Sequence, residues 1–259
     1  MRLLRALLAS CLLFVALAGC APATGCGDPG DSVACTRVLF IGNSYTYVND
    51  LPDTFGALAR AGGHRVATSI AAQGGWTLAD HAKSADTQAL IASAKWDFVV
   101  LQEQSEIPSI AASRTDQMFP AARDLVRMVR NTGARPVFFL TWAHRDGWPE
   151  NRLPDYASMQ AQIDSGYMAI AKELGVEIAP VGDAWAAVLA RTTRPNLWQD
   201  DGSHPTVAGT YLAACVFYAA VFHQSPVGVP FDGGLPRETT QLLQQAAAET
   251  VLTDQAHVP

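Results

Sequence analysis

From residue 36 onward, short runs of β-branched and aliphatic residues alternate with longer segments of helical spacing, and this alternation constrains the fold more than any other feature. It predicts strands at 37–41, 66–72, 96–101, 136–142 and 176–179. It predicts helices at 51–61, 77–94, 116–131, 155–174, 183–191 and 206–223. Because strands that alternate with helices form parallel βαβ units, we expect an α/β fold with a parallel sheet of about five strands.

The N-terminus has the composition of an export signal. Arg2 and Arg5 precede an apolar run over 6–18, which is shorter than the roughly 20 residues of a membrane-spanning helix. The run ends in Leu-Ala-Gly-Cys at 17–20, which resembles the lipobox of bacterial lipoproteins. We therefore expect Cys20 to become the first residue and to anchor the protein by lipid to a bacterial membrane, on its periplasmic or extracellular side. An ordinary signal peptide with an incidental cysteine is the alternative.

The charge balance bears on the partners of the protein. Removal of residues 1–19 deletes two arginines, so the mature chain has 16 Lys and Arg against 24 Asp and Glu, a formal net charge of −8. The sequence contains no cluster of Lys or Arg. A nucleic-acid partner is therefore not expected, and attachment to a membrane would depend on lipid rather than on charge. The oligomeric state is left open.

The remaining cysteines are typical of structural positions. Cys26 and Cys35 enclose a small loop ahead of the first strand, and we expect them to form a disulfide in an oxidising compartment. Two free thiols are the alternative. Neither cysteine has a Cys or His partner at the spacing of a zinc site, so no metal is expected. Cys215 lies in an apolar stretch that is predicted to be a buried helix.

Ser44 follows the first predicted strand, in the sequence Gly-Asn-Ser at 42–44. Functional groups of open parallel sheets collect at the carboxyl ends of the strands, which is where this serine lies. A glycine permits a tight turn there, and a helix N-terminus favours the negative charge that develops in acyl transfer. Ser44 is therefore a candidate nucleophile. A plain turn or helix N-cap is the alternative for this motif by itself.

A second polar motif, Asp-Gly-Ser-His-Pro at 201–205, lies in a loop before the last core helix. His204 is three residues after Asp201, a spacing that lets the carboxylate reach the imidazole Nδ1 and leaves Nε2 free to take a serine proton. A capping Asp beside a surface His is the alternative. With Ser44, these residues make up a predicted nucleophile, acid and base.

Gly-Asn-Ser-x-Thr at 42–46 and Asp-x-x-His-Pro at 201–205 together resemble the SGNH, or GDSL-like, hydrolases, and the pair is more specific than either motif alone. The resemblance covers nearly all of the mature chain, because the order of strands and helices suits the flavodoxin-like three-layer α/β/α sandwich of that family. It implies a Ser-His-Asp hydrolase of carboxylic esters, often acetyl esters of carbohydrates. Such a reaction needs no metal or organic cofactor.

The resemblance also implies an oxyanion hole made by the N–H of Ser44, a block II glycine that Gly75 matches best, and a block III asparagine. Asn43 stands where the family usually has Asp, a position that is not one of the reacting groups. Block III usually reads Gly-x-Asn-Asp, whereas here the strand is followed by Gln-Glu-Gln-Ser at 102–105. Counting from the strand end places Gln104 at the asparagine. Gln102 is a competing donor, and a third possibility is that neither glutamine serves.

The segment after the fourth strand lies at the same edge of the sheet. Trp142, His144 and Arg145 are candidates to line a substrate cleft, where aromatic rings stack on sugars. The alternative is a loop that only covers the sheet edge. Four other histidines are expected at the surface: His64, His81, His223 and His257.

These features predict four segments, which are a lipoprotein signal peptide at 1–19, an anchor and linker at 20–35, a hydrolase domain at 36–224 and a partly helical extension at 225–259. The predicted function is cleavage of a small-molecule or glycan ester, with short acyl groups such as acetyl, by an exported esterase. A non-catalytic glycan-binding lipoprotein is one alternative. An acyltransferase or a phospholipid esterase is the other.

Overall fold

The computed structural model describes Cys26 and residues 34–253. The predicted signal peptide, the predicted anchor Cys20 and His257 lie outside the described residues. Cys26 and Cys35 form the predicted disulfide, with their Cα atoms 5.4 Å apart. Cys215 is a buried free thiol, as its apolar surroundings in the sequence predicted.

Five parallel strands form one sheet. The order across the sheet is β2-β1-β3-β4-β5, and each neighbouring pair is parallel. This is the flavodoxin-like order. β2 lies on one side of β1 and the later strands lie on the other side, so the strand order reverses between β1 and β3. A crevice therefore opens where β1 and β3 end. The strands are β1 (Thr36–Gly42), β2 (Val66–Ala72), β3 (Phe98–Leu101), β4 (Arg135–Leu140) and β5 (Glu177–Pro180).

Helices connect the strands and follow the last one, and none in the described part of the chain is both long enough and apolar enough to span a bilayer. A π-helical turn, Arg114–Met118, directly precedes the sixth α-helix. The α-helices are α1 (Ser44–Tyr47), α2 (Leu51–Ala61), α3 (Leu78–Lys83), α4 (Ala85–Ala92), α5 (Ala111–Ser113), α6 (Phe119–Asn131), α7 (Tyr156–Leu174), α8 (Val181–Leu189), α9 (Val207–Phe222) and α10 (Arg237–Leu252).

The helix predicted at 77–94 is in fact two helices. Ser84 lies between them in an extended backbone conformation, with ψ at 119°, which a continuous helix does not allow. Its hydroxyl accepts the N–H of Thr87 at 3.2 Å and so caps α4. The helical spacing continues through this junction, which is why the sequence pattern does not reveal it. The four-residue α1 is too short to produce a periodic pattern at all.

Alternate residues of the central strands face two separate cores. Val38 and Phe40 of β1 belong to the core formed with α2, α8, α9 and α10. Leu39 and Ile41 belong to the core formed with α3, α6 and α7. All four are completely buried. The sheet is therefore the middle layer of an α/β/α sandwich, as the pattern and the resemblance predicted.

Helix α10 packs into the first of these cores. Leu243 is completely buried there. Gln244 is also buried, and its amide donates to the Tyr211 hydroxyl at 2.9 Å and to the Val229 carbonyl at 3.0 Å. The C-terminal helix thus contributes to the same core as α9, on the face of the sheet opposite α6 and α7.

Shortening Leu243 tests how far α10 contributes to stability. We expect Leu243→Ala to lower the free energy of unfolding by about 2–5 kcal/mol, because it leaves a cavity in a closed core. Val227, which is 54% exposed, is the matched control, and Val227→Ala should change stability by less than about 0.5 kcal/mol. Urea denaturation measures both. Equal midpoints for the two variants would show that α10 is not an integral part of the fold.

Candidate active site

The turn after β1 places Ser44 in the crevice between β1 and β3. Gly42 ends the strand, and a Cβ atom at this position would clash with the Gln102 side-chain oxygen and the Thr46 hydroxyl, so the site requires glycine. Asn43 is the N-cap of α1. Ser44 is the first residue of that helix, where backbone N–H groups have no partner within the helix. Both its hydroxyl and its N–H are therefore placed at the cleft.

Ser44, His204 and Asp201 form a hydrogen-bonded chain. The His204 Nε2 lies 2.9 Å from the Ser44 Oγ, and the Nδ1 lies 2.6 Å from the Asp201 Oδ2. The Asp201 Oδ1 accepts the backbone N–H groups of Ser203 at 2.9 Å and His204 at 3.0 Å. Burial opposes the charge of Asp201, but these hydrogen bonds outweigh burial and lower its pKa. Because an ionised carboxylate only accepts, the imidazole proton lies on Nδ1 and Nε2 faces the serine.

Stacked aromatic rings support the loop that carries His204. The Tyr45 ring stacks on Trp142 with centroids 4.5 Å apart, and Trp142 stacks on Trp185 at 4.1 Å. The Trp142 indole N–H donates to the Ser203 carbonyl at 3.0 Å, and the Tyr45 hydroxyl lies 2.7 Å from the Ser203 Oγ. Tyr45 also meets the His204 ring edge to face, at 5.8 Å. The imidazole is therefore held by packing as well as by Asp201.

A cavity of about 430 Å³ opens above Ser44. Polar and apolar surface contribute about equally to its wall, and the polar part consists of hydroxyl, amide, imidazole and carboxyl groups. Five of the residues predicted from the sequence line it. The other seven, which include Tyr47, Ser105 and Glu106, were not predicted as site residues, because nothing in the sequence shows which loop residues face inward. The lining residues are Asn43, Ser44, Tyr45, Tyr47, Gly74, Gly75, Gln104, Ser105, Glu106, His144, Ser203 and His204.

Of the three candidates after β4, only His144 lines the cavity. The prediction for Trp142 is wrong, because its ring is completely buried in the aromatic stack. The prediction for Arg145 is also wrong, because its guanidinium pairs with Asp146 at the surface, at 3.3 Å. The His144 Nε2 lies 3.3 Å from the Ser105 Oγ, and burial lowers the pKa of this histidine. At neutral pH it therefore presents an uncharged imidazole to the cavity.

Gly75 lies in a tight turn after β2, which neighbours β1 on the side opposite to β3. The N–H of Trp76 donates to the Gln73 carbonyl at 3.1 Å, and Gly75 has a φ of +73° at the third position of this turn. That position favours glycine because a side chain would strain the backbone. Asn43 ties the turn to the nucleophile, since its Nδ2 donates to the Trp76 carbonyl at 3.0 Å.

The two glutamines after β3 have different surroundings. Gln102 is completely buried, and its Oε1 accepts the Asn43 N–H at 2.8 Å and the Thr46 hydroxyl at 2.9 Å. Its Nε2 donates to the Glu103 carbonyl at 2.5 Å. It therefore supports the nucleophile turn from the protein interior and does not line the cavity. Gln104 lines the cavity.

The carbonyl end of the Gln104 side chain is fixed by the main chain. Its Oε1 accepts the N–H groups of Glu106 at 2.8 Å and Ile107 at 3.2 Å. Its Nε2 has only a long contact of 3.5 Å with the Ser105 Oγ. The oxygen is thus engaged with the protein, and the amide N–H groups remain for a ligand in the cavity.

Glu103 lies between the two glutamines and is completely buried. Its Oε1 accepts the N–H groups of Leu78 at 3.0 Å and Gln104 at 2.7 Å. Burial raises the pKa of this carboxyl to about 7. Sequence reasoning did not single it out, although an acid two residues after a fully apolar strand is a signal that could have done so.

His81 was expected at the surface, and this expectation is wrong. The ring is buried, with Nε2 2.8 Å from the Gly42 carbonyl and Nδ1 3.0 Å from the Thr87 hydroxyl. Burial lowers its pKa. It braces the end of β1 just before the nucleophile. Within Cys26 and residues 34–253, no group of three or more His, Cys, Asp or Glu side chains is placed to hold a metal ion.

No protein-family model and no curated protein sequence matches the chain. Solved structures do. A DUF4886 family protein from Bacteroides uniformis has a TM-score of 0.75 and 21% identity, over 85% of this chain and 96% of its own. A variant of an acetyl-xylooligosaccharide esterase from Geobacillus has a TM-score of 0.57 and 19% identity, over 72% of this chain and 94% of its own. At such identities these two structures show the fold.

A more similar sequence shows the family. A protein from Slackia heliotrinireducens, proposed to be an SGNH hydrolase, is 31% identical, with a TM-score of 0.61, and the match covers 73% of this chain and 100% of that protein. The match therefore spans the whole relative, and the flavodoxin-like strand order agrees with it. The chain belongs to the SGNH hydrolase family.

Proposed function

We propose that the protein hydrolyses carboxylic esters, with Ser44 as nucleophile, His204 as general base and Asp201 as the acid that orients it. The observation that carries this proposal is the continuous hydrogen-bonded chain from the Asp201 carboxylate through His204 to the Ser44 Oγ, which ends in an open cavity. A serine that contacts a base oriented by a carboxylate is the recurrent arrangement of acyl-transfer enzymes.

The reaction begins when the Ser44 Oγ attacks the ester carbonyl and His204 Nε2 takes the serine proton. Asp201 stabilises the resulting imidazolium through Nδ1. His204 then gives the proton to the departing alkoxide, and the acyl group remains on Ser44 as an acyl-serine. Water is deprotonated by the same nitrogen and attacks the acyl-serine, which releases the carboxylic acid and restores Ser44.

Three donors surround the place where the carbonyl oxygen becomes negative. The N–H of Ser44 belongs to the first turn of α1, and the N–H of Gly75 belongs to the turn across the cavity. The third donor is the Nε2 of Gln104, whose oxygen is already engaged. Fixed donors of this kind stabilise a tetrahedral intermediate more than the planar ester, and so they accelerate the reaction.

We propose a short acyl group, such as acetyl, on a carbohydrate or related alcohol as the substrate. The cavity is small and is lined by hydroxyl, amide and imidazole groups that suit hydrogen bonds to sugar hydroxyls. The carboxyl group of Glu106 in the wall disfavours anionic lipids. An acetyl-xylooligosaccharide esterase variant and an acetyl xylan esterase are among the structural neighbours, each with a TM-score of 0.57.

We propose that the enzyme is exported and anchored by lipid at Cys20. The lipobox-like sequence at 17–20 and the absence of a cluster of Lys or Arg in the sequence support this location. The acidic mature chain is consistent with attachment through acyl groups and not through charge.

Removal of the nucleophile tests the reaction itself. Ser44→Ala should reduce kcat for p-nitrophenyl acetate by about 10⁶-fold, the size found when a comparable triad loses its serine. A fluorophosphonate should label the wild type and not the variant. Ser93→Ala, at an exposed serine in the C-cap of α4, is the control and should retain full activity. A loss below tenfold in a folded Ser44→Ala protein would rule out the proposed nucleophile.

Product analysis separates hydrolysis from its alternatives. Release of free acetate from acetylated glycans indicates hydrolysis, whereas transfer of the acyl group to an added sugar indicates an acyltransferase. A wild type that binds glycans but does not react with fluorophosphonate would be a binding protein.

Exchange of the donor in Gln104 tests the third oxyanion contact. Gln104→Glu keeps an oxygen for the N–H groups of Glu106 and Ile107 but replaces the amide donor with an acceptor. We expect kcat to fall by about 10²- to 10³-fold with little change in KM, the cost of losing one oxyanion donor. Steady-state kinetics measures both constants. If Gln104→Glu and Gln104→Ala both keep kcat within about threefold, Gln104 is not the donor.

Replacement of Cys20 tests the anchor. In a bacterial host, the wild type should incorporate labelled palmitate and partition into the detergent phase of Triton X-114, because acyl chains bind the membrane. Cys20→Ser should do neither and should appear in the aqueous phase. Cys26→Ser serves as a control for loss of a cysteine elsewhere. Identical partitioning of wild type and Cys20→Ser would exclude a lipid anchor at this residue.

A further inference from the structure

Glu103 joins two segments that lie on opposite sides of Ser44. One oxygen of its carboxyl group, Oε1, accepts the Leu78 N–H at 3.0 Å and the Gln104 N–H at 2.7 Å. Leu78 begins α3, and only Thr77 separates it from the turn that contains Gly75. Gln104 belongs to the loop after β3 and lines the cavity. A single atom therefore sets the distance between the two segments.

The position of this oxygen is itself fixed. The backbone N–H of Glu103 donates to the Tyr167 hydroxyl at 3.1 Å, and its carbonyl accepts the Gln102 Nε2 at 2.5 Å. The side chain is completely buried between the sheet and the surrounding helices. Main chain and side chain thus have little freedom to move, which is the property that a spacer between two loops requires.

A carboxyl group is energetically unfavourable in this buried space. Its second oxygen, Oε2, is buried and has no hydrogen-bond partner among the described residues. A buried polar atom without a partner is unfavourable, and an apolar side chain of similar size would avoid that cost. What an apolar side chain cannot supply is the acceptor shared by Leu78 and Gln104.

We propose that Glu103 is a positioning residue, which holds the Gly75 turn and Gln104 at a fixed separation so that their donors converge on the same oxyanion. The inference rests on the proposed esterase function. It differs from the role of Gln104, because Glu103 does not line the cavity and acts only through its neighbours. A misplacement of about 1 Å in a catalytic group can cost about 10²-fold in rate, so loss of this spacer should affect turnover strongly.

The role requires an acceptor oxygen and not a charge. Both protonation states of the carboxyl group have such an oxygen, and so does the amide of glutamine. Glutamine at this position should therefore preserve the spacing. Methionine fills a similar volume without an acceptor for the two N–H groups, and so it removes the spacer with little change in packing.

Steady-state kinetics with p-nitrophenyl acetate compares the two replacements. We expect Glu103→Met to lower kcat about 10²-fold with KM within about twofold, because the donors act mainly in the transition state. Glu103→Gln should keep kcat within about threefold of the wild type. Gln244→Met is the matched control, since Gln244 is also buried and hydrogen-bonded but bonds only residues outside the cavity. It should lower thermal stability and leave kcat unchanged.

The outcomes distinguish this inference from the proposed function. A wild type that neither hydrolyses the ester nor reacts with fluorophosphonate refutes the esterase and the inference together. An active wild type whose folded Glu103→Met variant keeps kcat within about threefold refutes only the role of Glu103. A Glu103→Gln variant as impaired as Glu103→Met refutes it as well.

If Glu103→Met does not fold, Glu103→Asp withdraws the carboxyl by one methylene. An unchanged kcat in that variant overturns the inference, and a loss of about tenfold or more at constant KM supports it.

Discussion

Two polar side chains, Gln102 and Glu103, are completely buried directly beyond the apolar strand β3. Gln102 holds the nucleophile turn through the Asn43 N–H and the Thr46 hydroxyl, and Glu103 holds the start of α3 through the Leu78 N–H. A buried polar group that loses its partner costs about 1–3 kcal/mol, so loss of these bonds would destabilise the folded protein. The positions of the cleft loops are therefore tied to the end of β3.

The parts of the structure that depend on local spacing could be predicted from the sequence. The strands follow from alternating or continuous apolar runs, and the approach of Asp201 to His204 follows from a separation of three residues within one loop. The orientation of side chains after β4 could not be predicted in this way. Trp142 is withdrawn into the core because Trp185, on a different helix, provides a ring to stack on, and this leaves His144 at the cleft. Such a choice depends on tertiary contacts.

The choice between the two glutamines depends on a residue far away in the sequence. Gly42 has no Cβ atom, and the space that a Cβ would occupy is filled by the side-chain oxygen of Gln102. Gln102 can therefore turn toward β1, where it engages Asn43, and the cavity is left to Gln104. Counting from the strand end ranks Gln104 first, but the physical reason is the fit between Gly42 and Gln102. That fit becomes visible only when β1 and β3 are known to be neighbours.

Asn43, which stands where the family usually has aspartate, takes part in the same set of contacts. Its Oδ1 accepts the Tyr45 N–H at 3.1 Å, and its Nδ2 donates to the Trp76 carbonyl at 3.0 Å. The aspartate usual in the family could make the first of these bonds, but an ionised carboxylate has no hydrogen to donate to a carbonyl. Asparagine therefore ties the nucleophile turn to the Gly75 turn, Gln102 ties the nucleophile turn to β3, and Glu103 ties β3 to α3. The Gly75 turn and the start of α3 are one continuous segment, so this segment, the nucleophile turn and the end of β3 form a closed ring of hydrogen bonds. Asn43, Gln102 and Glu103 are therefore mutually dependent, and a change in one should displace the donors held by the others.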